Sequence, residues 1–205
     1  MKSSHALMIM LALGIPVSAH SIPVQWTIAS GGNDHWYDII TPAASGGFTW
    51  NEAFTHATGQ SHLGMTGYLA TVTSAAEQSF IVSSVSTSTA WLGGTDRETE
   101  GVWKWMNGPE AGQIFFGPGA PGGAFAFWAG GEPNNCCGGE NDLVINWGSG
   151  GSWNDIGLPA FPDYRVPYII EFSPTDDNNV PEPASLSLIA AAMAALGLSR
   201  RRRSA

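Results

Sequence analysis

Apolar residues along this chain change their spacing several times, and each change marks an element. "VQWTI" (24–28) alternates apolar and polar side chains, the two-residue period of a strand with one face buried. From Thr49 the period lengthens: Trp50, Ala53, Phe54 and Ala57 recur at i, i+3, i+4 and i+7. Thr49 with Glu52 three residues on has the form of a capping box, so the spacing predicts a helix. "GYLATVTSAAEQSFI" repeats the logic, predicting a short strand through Tyr68 to Val72, then Ser74 with Glu77 as a second capping box and a helix to about Ser83. "AWLGGTD" (90–96) reads as a buried strand. "GVWKWMNG" sets Trp103 and Trp105 on one face of another, closed by an Asn-Gly turn. Glycine and proline dominate from Pro109 to Ala129, which predicts irregular structure. "LVINW" (143–147), "GSWND" (151–155) and "YIIEF" (168–172) predict three further short strands. Two early helices, later short strands and a long loop between them, with no internal repeat, form an α+β pattern.

The two ends follow different rules. Lys2, the apolar stretch Ala6 to Val17 and the small residues Val17-Ser18-Ala19 read as a secretory signal over 1–19, cut before His20. After a polar linker, 174–183, that closes on Pro181-Glu182-Pro183, an apolar run fills 184–199 and Arg200 to Arg203 open an arginine-rich tail, 200–205. Sixteen helical residues reach ~24 Å, short of a ~30 Å hydrocarbon core, a deficit that snorkelling arginines reduce. This order resembles the PEP-CTERM sorting signal of Gram-negative bacteria. The resemblance implies transient inner-membrane anchoring through the 184–199 transmembrane helix, processing by an exosortase-type enzyme, and delivery to the envelope, surface or extracellular matrix. A plain tail anchor is the alternative. The working domain is then expected at 20–173.

Removing the ends changes the charge. Of eight basic residues, Lys2 and the terminal arginines belong to the signals, leaving Arg97, Lys104 and Arg165 against seventeen acids, a net of −14 instead of the formal −9. Nucleic acid and anionic lipid surfaces are poor partners for such a protein, and cations are good ones. Nine tryptophans and nine phenylalanines supply a core.

The candidate chemistry is concentrated in "GGEPNNCCGGEND" (130–142). Glu132 and Asn134 flank Pro133, Glu140 follows, and Asn154 and Asp155 come directly after Trp153, which is assigned to packing. Three carboxylates and two amide carbonyls suit Ca²⁺, which takes six to eight hard oxygen donors, and do not suit zinc, which favours nitrogen and sulfur. A solvated acidic turn is the plain alternative. Other patterns carry less. Gly117-Pro-Gly-Ala-Pro-Gly122 matches a dinucleotide fingerprint by spacing only and opens no helix. His35, His56 and His62 lack ligand spacing, and Trp103 and Trp105 are read as packing in preference to sugar platforms.

In order, "WLGGTD", "VWKWMNGPEAG", "GEPNN…GGEND", "VINW", "WND" and "YIIEF" resemble a C-type lectin-like domain over roughly residues 24–173. That resemblance implies a mixed fold whose terminal strands pair, with a long loop region binding calcium. It implies Glu132, Asn134, Glu140, Asn154 and Asp155 as calcium ligands and Pro133 as a cis proline. It also implies that Glu132, Asn134, Glu140 and Asn154 meet two adjacent sugar hydroxyls. The Glu-Pro-Asn order is the one associated with mannose, glucose, N-acetylglucosamine or fucose. Half-cystine positions of the family hold Asp142, Leu158 and Ile170 here, so the tryptophan core and calcium must replace stability worth ~2–5 kcal/mol per bridge. Cys136 and Cys137 are not those half-cystines; they can close a vicinal disulfide, pair between chains or stay free. The expected function is exported, calcium-dependent carbohydrate binding without catalysis. A calcium-stabilised structural or adhesive surface protein is the alternative, and a glycosidase built on Glu132 and Glu140 a more distant one.

Overall fold

A computed structural model describes residues 22–42 and 46–174. The first strands are β1, Val24–Gln25, and β2, Trp36–Ile40. Helix α1, Trp50–Thr58, begins where the sequence signals it. Thr49 Oγ1 accepts the Glu52 N–H and the Glu52 carboxylate accepts the Thr49 N–H, a complete capping box. The helix buries Trp50, Ala53 and Ala57. The short β3, Ser61–His62, precedes β4, Met65–Leu69.

Helix α2, Ala75–Phe80, runs on into a π-helical turn, Ile81–Val85. Its cap differs from the first. Ser74 Oγ does accept the Glu77 N–H, but the Glu77 carboxylate turns into the protein, accepting from the Thr73 N–H (2.7 Å) and the Tyr37 hydroxyl (2.6 Å).

The remaining strands are β5, Ala90–Thr95; β6, Trp103–Trp105; β7, Ile114–Phe116; β8, Glu140–Ile145; β9, Asn154–Pro159; and β10, Tyr168–Phe172. They form one sheet along the path β1-β2-β10-β5-β6-β7, with β4 also on β10 and β8 joining β5 to β9. All the pairings are antiparallel except β10 with β5. β10 pairs with β2, β4 and β5, and all five of its residues are buried, as a strand covered on both faces requires. The family resemblance implied that the terminal strands pair; here β1 pairs with β2 and β2 with β10, so the two are joined through β2 and not directly.

Several strand positions differ from expectation. β1 stops at Gln25, β4 lies earlier than Tyr68 to Val72, β8 begins at Glu140 and β9 extends to Pro159. β2 and β7 were not predicted at all. β2 has no alternation to read and carries a buried Asp38, while β7 sits inside the glycine-rich stretch expected to be irregular.

The core has two parts. One gathers Trp26, Tyr37, Leu92, Trp103, Trp105, Phe115, Ile145 and Trp153; the other, under α1, gathers Trp50, Leu69, Trp91, Val144, Ile170 and Phe172. Trp103 and Trp105 are 0% and 2% exposed, so they are packing residues. None of the three histidines belongs to the candidate loop: His35 Nδ1 lies 2.5 Å from Glu171 Oε1, His56 is hydrogen-bonded to the Tyr168 hydroxyl, and His62 packs at a tilt against Trp36 and Phe172.

Candidate functional site

Trp153 positions the site from below. Its ring is fully buried and its Nε1–H donates to Gln78 Oε1 at 2.8 Å, while Gln78 Nε2 donates to the Gly151 carbonyl. Its backbone pairs in parallel with Trp128: the Trp153 N–H donates to Phe127 O and the Ala129 N–H to Trp153 O, each at 2.8 Å. The chain entering the loop at Ala129 is therefore fixed to the strand that carries Asn154 and Asp155.

Asp155 makes the second connection. Its carboxylate accepts the N–H of Asn134 at 3.1 Å and of Asn135 at 2.7 Å, so two stretches about twenty residues apart share one acid. The Glu132–Pro133 peptide just before them is cis. Beyond them Cys136 and Cys137 are joined to each other. The Cys136 N–H is shared by Asn134 Oδ1 (2.8 Å) and Glu140 Oε2 (3.0 Å), and the Glu140 N–H donates to Asn135 Oδ1 at 2.8 Å. β8 and β9 hold the far side, with Leu143 opposite Asp155 and Val144 opposite Asn154. Asn154 Nδ2 donates to the Asp155 carbonyl. All five residues singled out for calcium thus lie in one connected loop-and-strand unit.

Charge in this unit is unfavourable as it stands. Burial raises the Glu132 carboxyl above its usual range, and the charge of Asp155 raises it further. Glu140 is raised by burial, then by Asp155 and, more weakly, by Glu132. Glu132 Oε2 is buried and finds no hydrogen-bond partner among the described residues. No three Asp, Glu, His or Cys side chains among the described residues are gathered into a metal-holding group. Any cation shell here would accordingly have to include the amide oxygens of Asn134 and Asn154.

One acid escaped the sequence reading. Asp96, at the end of β5, is buried, and its carboxyl is pushed up to about 6 by burial, with the charges of Glu100 and Asp155 adding to it. Its Oδ1 and the neighbouring strand's Asn141 Oδ1 both lack partners among the described residues. The signal available was the three acids in "TDRETE", ordinary in a solvated turn.

A mixed sheet with two helices and a long loop braced by its own acidic residues is the architecture of C-type lectin domains. Residues 49–157 match the Lectin C-type domain family, and the chain belongs to it. Residues 179–203 match the PEP-CTERM protein-sorting motif. Halomucin of Haloquadratum walsbyi is 35% identical over 145 residues, which cover 67% of this chain and 2% of halomucin. Hepatic lectin of Gallus gallus is 32% identical over 107 residues, 52% of this chain and 44% of that protein. The chain thus spans less than half the length of either relative. Among solved structures, the C-type lectin CEL-I of Cucumaria echinata aligns with a TM-score of 0.52 at 24% identity, over 69% of this chain and 92% of that one. The Kupffer cell C-type lectin receptor Clec4f aligns at 0.50 with 27% identity, over 70% and 82%. No helix among the described residues is long and apolar enough to cross a membrane, and both end segments, 1–19 and 184–199, lie outside them.

Proposed function

We propose that the chain is an exported calcium-dependent lectin of the cell surface or exopolysaccharide matrix, which recognises hexose-bearing glycans of the mannose, glucose or fucose type. The observation that carries this reading is the Asp155 carboxylate drawing the Glu-Pro-Asn turn onto the Trp-Asn-Asp strand. Asp155 adds to the charge cost of Glu132 and Glu140, Glu132 adds to that of Glu140, and one Glu132 oxygen is buried without a hydrogen-bond partner among the described residues. A hard dication relieves both problems, and three carboxylates with two amide oxygens suit calcium. Calcium, when bound, supplies coordination positions for two neighbouring sugar hydroxyls. Glu132, Asn134, Glu140 and Asn154 are the residues that would meet those hydroxyls, amides donating and carboxylates accepting. The Glu-Pro-Asn order supports the sugar class. The relatives that share the domain are binding proteins, which supports binding over catalysis.

The sorting motif supports export, with residues 1–19 removed, 20–173 as the working domain, 174–183 as linker, and 184–199 holding the chain in the inner membrane until an exosortase-type enzyme acts on it. Affinity of one shallow site is on the order of millimolar, so display in many copies would supply useful avidity.

Retention on mannose-agarose tests the proposal. Wild-type protein is expected to be retained in calcium and released by EDTA, with Glu140→Gln flowing through under both conditions. Retention that ignores EDTA removes the calcium step. Calcium uptake with no retention on any hexose matrix favours instead a calcium-stabilised adhesive protein.

A further inference from the structure

Cys136 and Cys137 are the chain's two cysteines, and they are spent on each other. A disulfide stabilises a fold chiefly by closing a long loop in the unfolded chain. One between adjacent residues closes none, joins no two elements and lies on the exposed surface, so global stability does not account for it. Its position does. The Cys136 N–H is the donor shared by Asn134 Oδ1 and Glu140 Oε2, two of the oxygens assigned to the cation. Beside it Asn135 and Cys137 have positive φ (49° and 62°), a conformation that residues other than glycine seldom visit, and Gly138 and Gly139 follow at 106° and 124°. The covalent ring includes the Cys136–Cys137 peptide and so restrains the backbone that aims this donor.

We propose that the Cys136–Cys137 disulfide is a redox gate on the cation site: closed, it holds Asn134 and Glu140 in place, and opened by a dithiol reductant it lets them go. This inference rests on the calcium reading above. In the opening step a reductant thiolate attacks one cysteine sulfur, breaking the S–S bond, forming a mixed disulfide and releasing the other cysteine as thiolate. The reductant's second thiolate then displaces the first cysteine. Two electrons pass to the protein, leaving two cysteine thiols once protons are taken up and a cyclic disulfide of the reductant. Both cysteines are exposed, so the reductant has access.

Calcium titration calorimetry on the full chain, oxidised and after dithiothreitol reduction, tests the gate, alongside the Cys136→Ser/Cys137→Ser double variant. The oxidised protein is expected to bind calcium, and the reduced protein and the variant to bind about tenfold more weakly, the scale of one hydrogen bond to a charged group. Reoxidation should restore the reduced wild type alone, and the calcium-free melting temperature should stay constant throughout. Equal dissociation constants in both redox states overturn the gate and leave the calcium reading standing. No uptake in either state overturns both. A calcium-free melting temperature that falls on reduction assigns the bond a general structural role, which also overturns the gate.

Discussion

Asp142 shows how one substitution is absorbed by its surroundings. It stands at a half-cystine position implied by the family resemblance, and Leu158, another such position, donates its N–H to the Asp142 carboxylate at 3.4 Å. Arg97 completes the replacement, with Nη2 2.6 Å from Asp142 Oδ2, Nη1 on Asn51 and the guanidinium 4.7 Å from the centre of the Trp50 ring. Burial raises the Asp142 carboxyl and Arg97 pulls it back. A Cβ at Gly157, whose φ is +95°, would come 2.5 Å from Asp142 Oδ2, so the carboxylate fits only because that residue is glycine. Arg97→Met keeps a packing stem over Trp50 but strands the acid. It should cost about 2–4 kcal/mol in chemical denaturation, below the usual figure for a broken buried pair because 26% of the Arg97 side chain is in water. At this scale the sequence was partly legible. Oxygen-bearing side chains in one glycine-rich loop announce their chemistry, so Glu132, Asn134 and Glu140 could be picked out. Arg97 could not, because its partners are more than forty positions away, and neither could Asp96, whose burial depends on the strand carrying Asn141 as well as on its own turn.

Elements were legible in proportion to how local their causes are. A capping box is a contract among four successive residues, and α1 starts where Thr49 and Glu52 say it does. Thr49→Ala should lower stability by about 1 kcal/mol, seen as a drop in denaturant midpoint with unchanged slope. The second box was legible only in half, since Glu77 is drawn away by Tyr37, a residue some forty positions earlier. Strands fared worse. β2 exists because β10 pairs with it from Tyr168↔Ile40 to Phe172↔Trp36, and β7 because β6 does, and neither partner is visible in the strand's own pattern. Trp153→Ala should be the most damaging change to an element. It empties a site filled by four aromatic neighbours and removes the anchor of the loop, for about 3–5 kcal/mol and loss of calcium uptake together.

For the molecule as a whole, pH also acts away from the candidate site, in a buried network. Tyr37 donates to Glu77 at 2.6 Å, Glu171 faces His35, and Thr71 donates to both Glu171 and Glu110. Burial and then the charge of Glu171 push Glu77 up to about 7, from an ordinary 4.5. A carboxyl raised in the folded state penalises folding once it must ionise, so this penalty grows as pH rises from 4.5 to about 7. His35 is raised too: burial alone would lower it, but the hydrogen bond and charge of Glu171 outweigh that. Its contribution is complete below 6.5 and fades as pH climbs through the folded value. Both effects have the same sign. The melting temperature of the calcium-free protein should therefore rise as pH is lowered from about 8 to about 6, and Glu77→Gln should flatten that slope. A melting temperature that falls over this interval contradicts the assignment.

The strand at the middle of the sheet, β10, is also the last in chain order among the described residues, ending at Phe172. A ribosome that delivers this chain from its N-terminus hands over β2, β4 and β5 before the strand that they all border. Closure of the sheet must therefore wait for β10, and until it arrives β2, β4 and β5 lack the neighbour that they all border.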